Sequence, residues 1–400
     1  MRFQSYFNTA VKIIQLYDGS GPLTLFLKHY FAQHKKHGSK DRKLIAHVCY
    51  NYYRTGCAFK ELNVEERLKV AFFLCNAKPG EWFFLFEDEW LQHWSNVLDG
   101  RIAFVKSKYA SFSLDAVFPF AHHLSDDIDK AQFIRSHFIQ PDVFLRIRPH
   151  QQMHVINALK RCNLSFEQRE DDCIALPGPG KIDTILKLDE EAVVQDYSSQ
   201  QIKKFLQAIE LQTESSTLPT RIWDCCAGSG GKSILAYDVL KNIQVTATDI
   251  RASIIHNLKQ RFQTAGMRNY KTCVIDIANS AYPISNAEFD LIICDAPCTG
   301  SGTWSRTPEQ LYFFDEKKID EYAGLQQQIV GNVLPHLKTG GYFLYITCSV
   351  FEKENENIVS FIQKNLPADE EGSGLQLLKM ELLKGYNKKA DTMFAALFRR

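Results

Sequence analysis

Two cysteines in the second half of the chain have the surroundings of reactive thiols. Cys298 ends the segment Asp295-Ala-Pro-Cys298 and Cys348 lies in Thr347-Cys348-Ser349, each just after an apolar run typical of a strand. A thiolate is a strong nucleophile, although most cysteines are simply small buried hydrophobic side chains. Polar neighbours favour the reactive role for these two. Burial is the expectation for three others: Cys225, Cys226 and Cys294.

Methylation of cytosine at carbon 5 is a reaction whose needs would be met by one attacking cysteine, a second cysteine and a carboxylate. Carbon 5 is a weak nucleophile, and a thiolate that adds at carbon 6 activates it by converting the ring to an enamine. After methyl transfer a base removes the proton at carbon 5 and the thiolate leaves. A carboxylate near ring nitrogen 3 holds the base, and Asp295 is the candidate. Spacing alone leaves open which cysteine attacks.

A glycine-rich loop is the first of the elements that must position these groups. It reads Cys226-Ala227-Gly228-Ser229-Gly230-Gly231-Lys232, after a predicted strand, Arg221–Asp224, and before a predicted helix. The glycines let the backbone approach a ligand closely, and the start of the helix supplies free N–H groups. The loop therefore predicts a binding site for a nucleotide-like cofactor that these seven residues contact.

Three classes of ligand compete for this loop. A P-loop needs Gly-x-x-x-x-Gly-Lys-Ser/Thr, but Cys226 replaces its first glycine, so a P-loop nucleotidase is only an alternative. A dinucleotide fingerprint fails at Ser233, where its third glycine should be. S-adenosylmethionine needs an acid after the second strand for its ribose, and Asp249 supplies one. Asp276, after the third strand, can serve the adenine edge, although a single acid there is often only a helix cap.

The pattern from residue 216 to residue 400 predicts an α/β fold with a mostly parallel, doubly wound, Rossmann-like sheet. Ligands bind such sheets at the carboxyl ends of the strands, where the polar residues gather here. A helix is predicted over Lys318–Leu337, closed by Gly340-Gly341. The predicted strands are Arg221–Asp224, Gln244–Ala247, Thr272–Ile275, Asp290–Cys294, Tyr342–Ile346 and Thr392–Phe398.

Two modules are predicted upstream of this domain. Residues 1–135 show helical spacing only and predict an all-α domain, with helices that include Lys43–Tyr53, Glu66–Ala77 and Glu87–Leu98 and a capped helix start in Ser125–Asp129. Residues 140–215 predict a small α+β module. Its expected elements are strands at Val143–Arg148, Ser165–Gln168, Cys173–Leu176 and Ala192–Gln195, and helices at Met153–Cys162 and Ser198–Ile209.

Charge is unevenly distributed along a chain of 400 residues with a net charge of +1. Residues 1–60 hold ten Lys or Arg against two Asp, an excess of eight positive charges, and Tyr50, Tyr52 and Tyr53 lie close behind. A basic, aromatic segment predicts contact with a nucleic-acid backbone. The alternative is a solvated helical surface with the tyrosines in the core.

Composition sets broader expectations. The eleven cysteines include no Cys-x-x-Cys pair, and the first residues lack the apolar core of an export signal. Reduced thiols in a cytoplasmic protein are therefore expected rather than a disulfide framework. No membrane span is expected, because the apolar run Val70–Cys75 is far too short. We also expect a monomer without a metal site.

Taken together, these motifs resemble the Sun (Fmu) family of RNA 5-methylcytosine methyltransferases. The glycine loop, Asp295–Cys298 and Thr347–Ser349 carry the resemblance. Further similar segments bring its extent to about residues 140–400: Phe144–Arg148, Val194–Gln200, Glu354–Glu356 and Asp391–Ala396. Residues 1–135 more loosely resemble the NusB-like helical RNA-binding module that some members carry.

The resemblance implies a class I methyltransferase domain, S-adenosylmethionine as cofactor and RNA as partner, ribosomal RNA first and transfer RNA second. It implies that Cys348 is the nucleophile, that Cys298 assists release, and that Asp295 contacts both cytosine and cofactor, with Lys232 close by. The family's loop usually reads Cys-Ala-Ala-Pro-Gly-Gly-Lys, so Gly228-Ser229 is a departure that loosens the loop. A non-catalytic RNA-binding protein of the same fold is the alternative.

Overall fold

The computed structural model describes residues 2–178, 181–209, 218–279, 288–365 and 374–400. The chain forms two compact units. The first contains Met1–Leu124, Ile128–Gln140 and Thr303–Glu316; the second contains Ser125–Asp127, Pro141–Gly302 and Lys317–Arg400. The expected domain boundary at residues 215–216 lies outside the described residues, so the division into three domains stays a prediction.

The first unit is helical, as its apolar spacing predicts. Asn63 and Asp129 cap two of its helices by accepting hydrogen bonds from the backbone N–H groups of Glu66 and Gln132. The core includes Tyr52 and Tyr53, so these two tyrosines are core residues. The helices of this part of the chain are α1 (Arg2–Leu16), α2 (Leu23–Gln33), α3 (Ser39–Arg54), α4 (Val64–Cys75), α5 (Asp88–Gln92), α6 (Leu98–Lys108) and α7 (Lys130–Ser136).

One expectation for this region is wrong in detail. Residues 87–98 do not form one helix, because the chain turns between α5 and α6 where Trp94 packs against Phe73 and donates its indole N–H to the carbonyl of Asn76 at 2.9 Å. The capped helix start expected over Ser125–Asp129 is confirmed, since Asp129, the last residue of that segment, caps α7. The hydroxyl of Ser125 donates to Glu356 at 2.8 Å.

The segment Thr303–Glu316, which follows the Cys298 loop in sequence, is part of the helical unit. The buried guanidinium of Arg54 donates to the carbonyl of Ser305 at 2.7 Å. Arg67, also buried, lies 4.6 Å from the ring centroid of Tyr312. Both arginines therefore serve internal contacts, and neither is part of the exposed positive charge of this region.

The second unit contains a small antiparallel sheet in the order β2-β3-β1-β4. Arg146, in the strand Val143–Ile147, and Arg148, just after it, both bind the carboxylate of Asp238, at 2.5 Å and 2.6 Å. The helix expected over Ser198–Ile209 is two short helices on either side of Ile202. The elements are β1 (Val143–Ile147), α8 (Gln152–Arg161), β2 (Glu167–Glu170), β3 (Cys173–Leu176), β4 (Ala192–Val194), α9 (Tyr197–Gln201) and α10 (Lys203–Leu206).

A seven-stranded sheet in the order β10-β11-β9-β8-β5-β6-β7 completes the second unit. The five strands β9, β8, β5, β6 and β7 are parallel, whereas β11 and β10 join antiparallel. This confirms the mostly parallel α/β sheet. The elements from residue 220 onward are β5 (Thr220–Asp224), α11 (Gly231–Leu240), β6 (Ile243–Asp249), α12 (Ala252–Thr264), β7 (Tyr270–Val274), β8 (Phe289–Asp295), α13 (Pro308–Tyr312), α14 (Lys318–Val333), β9 (Leu337–Thr347), α15 (Glu356–Asn365), β10 (Gln376–Leu383) and β11 (Met393–Arg399). Of these, α13 belongs to the helical unit.

The helix expected over Lys318–Leu337 is too long. The helix α14 ends at Val333, a short 3₁₀ turn follows at Leu334–His336, and Leu337 already pairs with Phe289 as the start of β9. Gly340-Gly341 therefore lies inside a strand rather than closing a helix. Short 3₁₀ turns lie at Gly80–Leu85, Ala121–His123, Ile182–Thr184, Ser301–Thr303, Leu334–His336, Glu352–Glu354 and Tyr386–Lys388. Across the described ranges, none of the helices combines the length and apolarity needed to cross a bilayer.

Candidate active site

The glycine loop joins β5 to α11 through two left-handed residues. Gly228 has φ 51° and Gly230 has φ 83°. A Cβ on Gly230 would lie 2.5 Å from a ring carbon of Phe262, so both backbone conformation and packing require glycine there. The N–H of Ala227 donates to the carbonyl of Thr248 at 2.8 Å, which ties the loop to β6.

The same loop leaves space at its outer side. A Cβ built on Gly228 or on Gly231 meets no heavy atom within 4 Å. Ser229 is exposed and accepts two hydrogen bonds from Arg261, at 2.8 Å to its carbonyl and 2.9 Å to its hydroxyl. Arg261 therefore restrains the loop at the position where the family usually has proline.

Asp224, the last residue of β5, is fully buried beneath this loop. It accepts a hydrogen bond from the hydroxyl of Ser233 at 2.6 Å. Burial, reinforced by the nearby charge of Asp295, raises the pKa of Asp224 from 3.8 to about 7. Burial therefore favours the protonated form of Asp224.

Asp249 ends β6 and faces the glycine loop. Its carboxylate accepts the N–H of Gly228 at 3.1 Å and pairs with Arg251 at 2.9 Å. Burial opposes ionisation, but the hydrogen bonds and charge of Arg251 outweigh it, so the pKa of Asp249 lies below its ordinary value. A ribose hydroxyl would share this carboxylate with Arg251, whose side chain is 60% exposed and free to rearrange.

Asp276 follows β7 and makes its hydrogen bonds within its own turn. It accepts the N–H of Ala278 at 3.1 Å and the side-chain amide of Asn279 at 2.8 Å. This is the local turn-forming role that a single acid after a strand often has. Asn332 holds the same turn from α14 by donating to the carbonyl of Ile277 at 2.7 Å.

Asp295 and Lys232 form an ion pair at the carboxyl end of β8. The Nζ atom of Lys232 lies 3.0 Å from a carboxylate oxygen of Asp295. The lysine side chain is 10% exposed and the aspartate side chain 31% exposed, so the aspartate has an accessible face. The pair links the glycine loop to the segment that carries Cys298.

The two cysteines lie next to one another. The Sγ atoms of Cys298 and Cys348 are 3.3 Å apart. The hydrogen bond with Cys348, together with burial, raises the pKa of Cys298 well above its ordinary value. At this distance either thiol can donate the hydrogen bond to the other. The N–H of Gly302 donates to the carbonyl of Cys348 at 2.9 Å. A Cβ atom on Gly302 would lie 2.0 Å from the carbonyl oxygen of Thr392, so this position requires glycine.

Comparison with known families identifies this domain. A family model described as 16S rRNA methyltransferase RsmB/F matches residues 208–399. Residues 208–399 form a methyltransferase domain of the RsmB/F (Sun) family. The curated relative "Ribosomal RNA small subunit methyltransferase B" of Citrobacter koseri is 29% identical over 232 residues, which is 52% of this chain and 51% of the relative. The chain thus spans about half the length of the curated relatives it matches.

Solved structures agree with the fold of the RsmB/F domain and of the chain around it. The crystal structure of PH0851 superposes with a TM-score of 0.72 at 18% identity and covers 99% of this chain and 98% of its own. The structure of NSun6 from Pyrococcus horikoshii with SFG superposes with a TM-score of 0.54 at 13% identity, over 70% of this chain and 96% of its own. At these identities the likeness is one of fold.

The structure brings the predicted site residues of the RsmB/F domain together in three pairs: Gly228 with Asp249, Lys232 with Asp295, and Cys298 with Cys348. Among the described residues, no hydrogen bond joins Asp276 to any of these three pairs. Sequence reasoning missed several residues that hold these pairs: Arg251, Arg261, Thr299, Gln326 and Ser349. Thr299 and Ser349 directly follow the two cysteines, and that position is a sequence signal that could have identified them. Gln326 is one of three successive glutamines on α14, and nothing in the sequence distinguishes it from the other two.

Metal ligation was expected to be absent. In the part of the chain that the structure describes, His122, His123 and Glu316 bring three possible ligand atoms within 4.8 Å of one another. They belong to the helical unit, whereas both cysteines belong to the second unit. The side chains of His122 and Glu316 are 65% and 49% exposed. The absence of a metal from the reaction stays a prediction.

Proposed function

We propose that the chain is an S-adenosylmethionine-dependent RNA cytosine-5 methyltransferase whose substrate is ribosomal RNA. The observation that carries the proposal is the pair of thiols, Cys298 and Cys348, with Sγ atoms 3.3 Å apart. They adjoin the segment of Asp295, whose carboxylate pairs with Lys232. The family model and the name of the curated relative support ribosomal RNA as the substrate class.

The cofactor fits the glycine loop on structural grounds. Gly228 and Gly231 face open space, the start of α11 offers backbone N–H groups, and Asp249 can accept from a ribose. NSun6, solved with SFG, shares this fold. When bound, S-adenosylmethionine supplies a methyl group on a sulfonium. We propose contacts from the loop residues Cys226, Ala227, Gly228, Ser229, Gly230, Gly231 and Lys232, and from Asp249, Asp276 and Asp295.

The roles of the two cysteines are those that the family resemblance implies. Cys348 adds to carbon 6 of cytosine and makes carbon 5 nucleophilic. Asp295 accepts hydrogen bonds from the ring edge of the base. Once carbon 5 is methylated, its proton must go to a base, and the C6–S bond then breaks to regenerate the thiolate. Cys298 lies beside the sulfur that leaves and assists this release.

Methyl transfer to defined RNAs tests the proposal. The full chain is incubated with S-adenosylmethionine carrying a labelled methyl group and with transcripts of 16S ribosomal RNA or transfer RNA, and nucleosides are identified by mass spectrometry. We expect labelled 5-methylcytosine in ribosomal RNA, and none with Cys348→Ala. Label on transfer RNA and not on ribosomal RNA would show that transfer RNA is the substrate. A labelled nucleoside other than 5-methylcytosine would refute the cytosine-5 chemistry.

Two alternatives are separated by calorimetry with S-adenosylmethionine and with ATP. Tight ATP binding without a response to S-adenosylmethionine would indicate a P-loop nucleotidase. RNA binding without S-adenosylmethionine binding would indicate a non-catalytic RNA-binding protein of the same fold. Binding of S-adenosylmethionine without binding of ATP supports the proposed enzyme.

We further propose the division of the chain into a NusB-like RNA-binding domain (1–135), an α+β module (140–215) and the methyltransferase domain (216–400), acting as a cytoplasmic monomer. Eight basic residues among the first 60 are exposed, which supports RNA contact by the first domain: Arg2, Lys12, Lys28, Lys35, Lys36, Lys40, Lys43 and Lys60. Sedimentation of the purified chain tests the oligomeric state. A concentration-independent mass of one chain is expected.

A further inference from the structure

A buried carboxylate lies behind the two cysteines of the RsmB/F domain. Glu354, in the 3₁₀ turn Glu352–Glu354, has no exposed surface. Its carboxylate accepts four hydrogen bonds from neutral donors. They come from the N–H of Thr299 at 2.9 Å, the hydroxyl of Thr299 at 2.5 Å, the hydroxyl of Ser349 at 2.6 Å and the side-chain amide of Gln326 at 3.1 Å.

The donors belong to the two segments that carry the cysteines. Thr299 directly follows Cys298, and Ser349 directly follows Cys348. Gln326 extends the same arrangement, because its amide donates to Glu354 and also to the carbonyl of Pro297 at 3.0 Å. One carboxylate thus fixes residues on each side of the first cysteine and next to the second.

A second layer of hydroxyls reinforces this connection. The hydroxyl oxygens of Ser301 and Ser349 are 3.1 Å apart, and the N–H of Val350 donates to the hydroxyl of Ser301 at 2.9 Å. These bonds again join the two cysteine segments. The backbone of both segments is therefore specified by polar contacts around Glu354, in addition to the pairing of β8 with β9.

We propose that Glu354 is a positioning residue that holds the Cys298 and Cys348 segments in the register in which the two thiols meet. This inference rests on the proposed function for its catalytic meaning, because it assigns the support of the same two thiols. Burying a carboxylate is costly, and a well-packed apolar residue could stabilise the fold as well. What an apolar residue could not do is accept donors from both segments at once.

The test replaces Glu354 by glutamine, which has the same shape but can no longer accept all four bonds, because its amide nitrogen is a donor that faces other donors. Glu352→Gln is the matched control, since Glu352 lies in the same turn and is exposed. The first readout is the rate at which hydrogen peroxide joins the two thiols. Each thiol loses one electron and one proton, the disulfide forms, and peroxide is reduced to two waters.

We expect Glu354→Gln to slow formation of the Cys298–Cys348 disulfide, mapped by peptide mass spectrometry, by about 10-fold or more, with Glu352→Gln unchanged. We also expect kcat for methyl transfer to fall by roughly 10- to 100-fold, the range that small misplacements of reacting groups produce. KM for S-adenosylmethionine should stay within about twofold, because the glycine loop is untouched. An unaltered rate of disulfide formation would overturn the proposal.

A second pair of variants keeps the test valid if Glu354→Gln fails to fold. Thr299→Val removes the hydroxyl that donates to Glu354 while keeping the side-chain shape, and Thr299→Ser retains that hydroxyl. Slower disulfide formation in the valine variant with recovery in the serine variant supports positioning through this bond. Equal rates in the two variants would contradict it.

The oxidation assay needs neither RNA nor cofactor, so the two proposals can fail separately. If the wild-type chain transfers no methyl group but Glu354→Gln still slows disulfide formation, the proposed function fails and the positioning role stands. If methyl transfer occurs and Glu354→Gln changes neither kcat nor the rate of disulfide formation, the positioning role fails and the proposed function stands.

Discussion

Asp224 makes the stability of the RsmB/F domain depend on pH in a predictable way. Its carboxyl is fully buried at the end of β5, where one oxygen accepts a hydrogen bond from Ser233. Because burial raises its pKa from 3.8 to about 7, the folded chain holds a proton that the unfolded chain releases between these values. Stability from this group is therefore fully present below about pH 4 and is lost as pH rises through 7.

The size of the effect follows from the two pKa values. A shift of about three units corresponds to about 4 kcal/mol in total at 1.36 kcal/mol for each unit. Between pH 5 and pH 8 the linkage relation gives a loss of roughly 2 to 3 kcal/mol in the free energy of unfolding. Asp224→Asn carries no titrating proton and keeps an oxygen that can accept from Ser233, so it should lack this loss.

Denaturant unfolding of wild type and Asp224→Asn at pH 5, 6, 7 and 8 measures the difference directly. The variant should gain roughly 2 to 3 kcal/mol in the free energy of unfolding relative to wild type from pH 5 to pH 8, because titrations elsewhere cancel in the comparison. Asp183→Asn, an exposed site, controls for the loss of a carboxylate and should show no such trend. A wild-type-minus-variant difference that stays constant with pH would falsify the assignment of a raised pKa to Asp224.

Two further outcomes are expected. Cys298→Ala should accumulate a covalent RNA adduct, visible as a denaturation-resistant shift on a gel, whereas Cys348→Ala should give none; the reverse pattern would exchange their roles. Lys12 and Lys36 line a cleft of about 510 Å³ in the helical unit, so Lys12→Ala/Lys36→Ala should lower RNA affinity and reduce the salt slope by about 1.4. The control Lys106→Ala, at an exposed residue of α6, should leave the salt slope unchanged. An unaltered slope in the double variant would mean that the positive charge of Lys12 and Lys36 is only a solvated surface.

Strands with two buried faces could be predicted from the sequence, whereas the edge strand β10 could not. In β8 an uninterrupted apolar run marks burial on both sides, and the predicted Asp290–Cys294 differs from the observed strand by one residue at each end. The strand β10 pairs on one side only, and its residues Leu378 and Met380 are 44% and 45% exposed. Because neither face of β10 is consistently apolar, its sequence lacks the alternation of apolar and polar residues that predicts a strand.

A four-residue period also misled where two elements adjoin. Val333 and Leu337 are both buried and four apart, so the sequence continues the helix through them. Pro335 lacks the N–H that an α-helix needs at that position, and Leu337 finds its burial as the first residue of β9 instead. Periodicity reports that a side chain is buried, but not which element buries it.

The basic first 60 residues show the same limit for function. Sequence could count the positive charges but could not sort them, and the structure removes Arg54 from the exposed set together with the aromatic side chains of Tyr52 and Tyr53. A contact with RNA through this surface must therefore depend on lysines and on charge, rather than on stacking by these two tyrosines. Salt dependence is the appropriate measurement for that reason.

The residues of the candidate site also differ in how far the sequence alone could identify them. The residues that could meet a substrate lie at strand ends within short motifs, because strand, turn and reactive side chain are consecutive in the chain, and so Asp295, Cys298 and Cys348 were predictable. The groups that hold them are distant in sequence: Gln326 lies 29 residues from Pro297, and Glu354 lies 55 residues from Thr299. Their donors and acceptors match only after the sheet has formed. A motif can therefore indicate the reaction, while the precision with which two thiols meet depends on buried polar contacts that no motif contains.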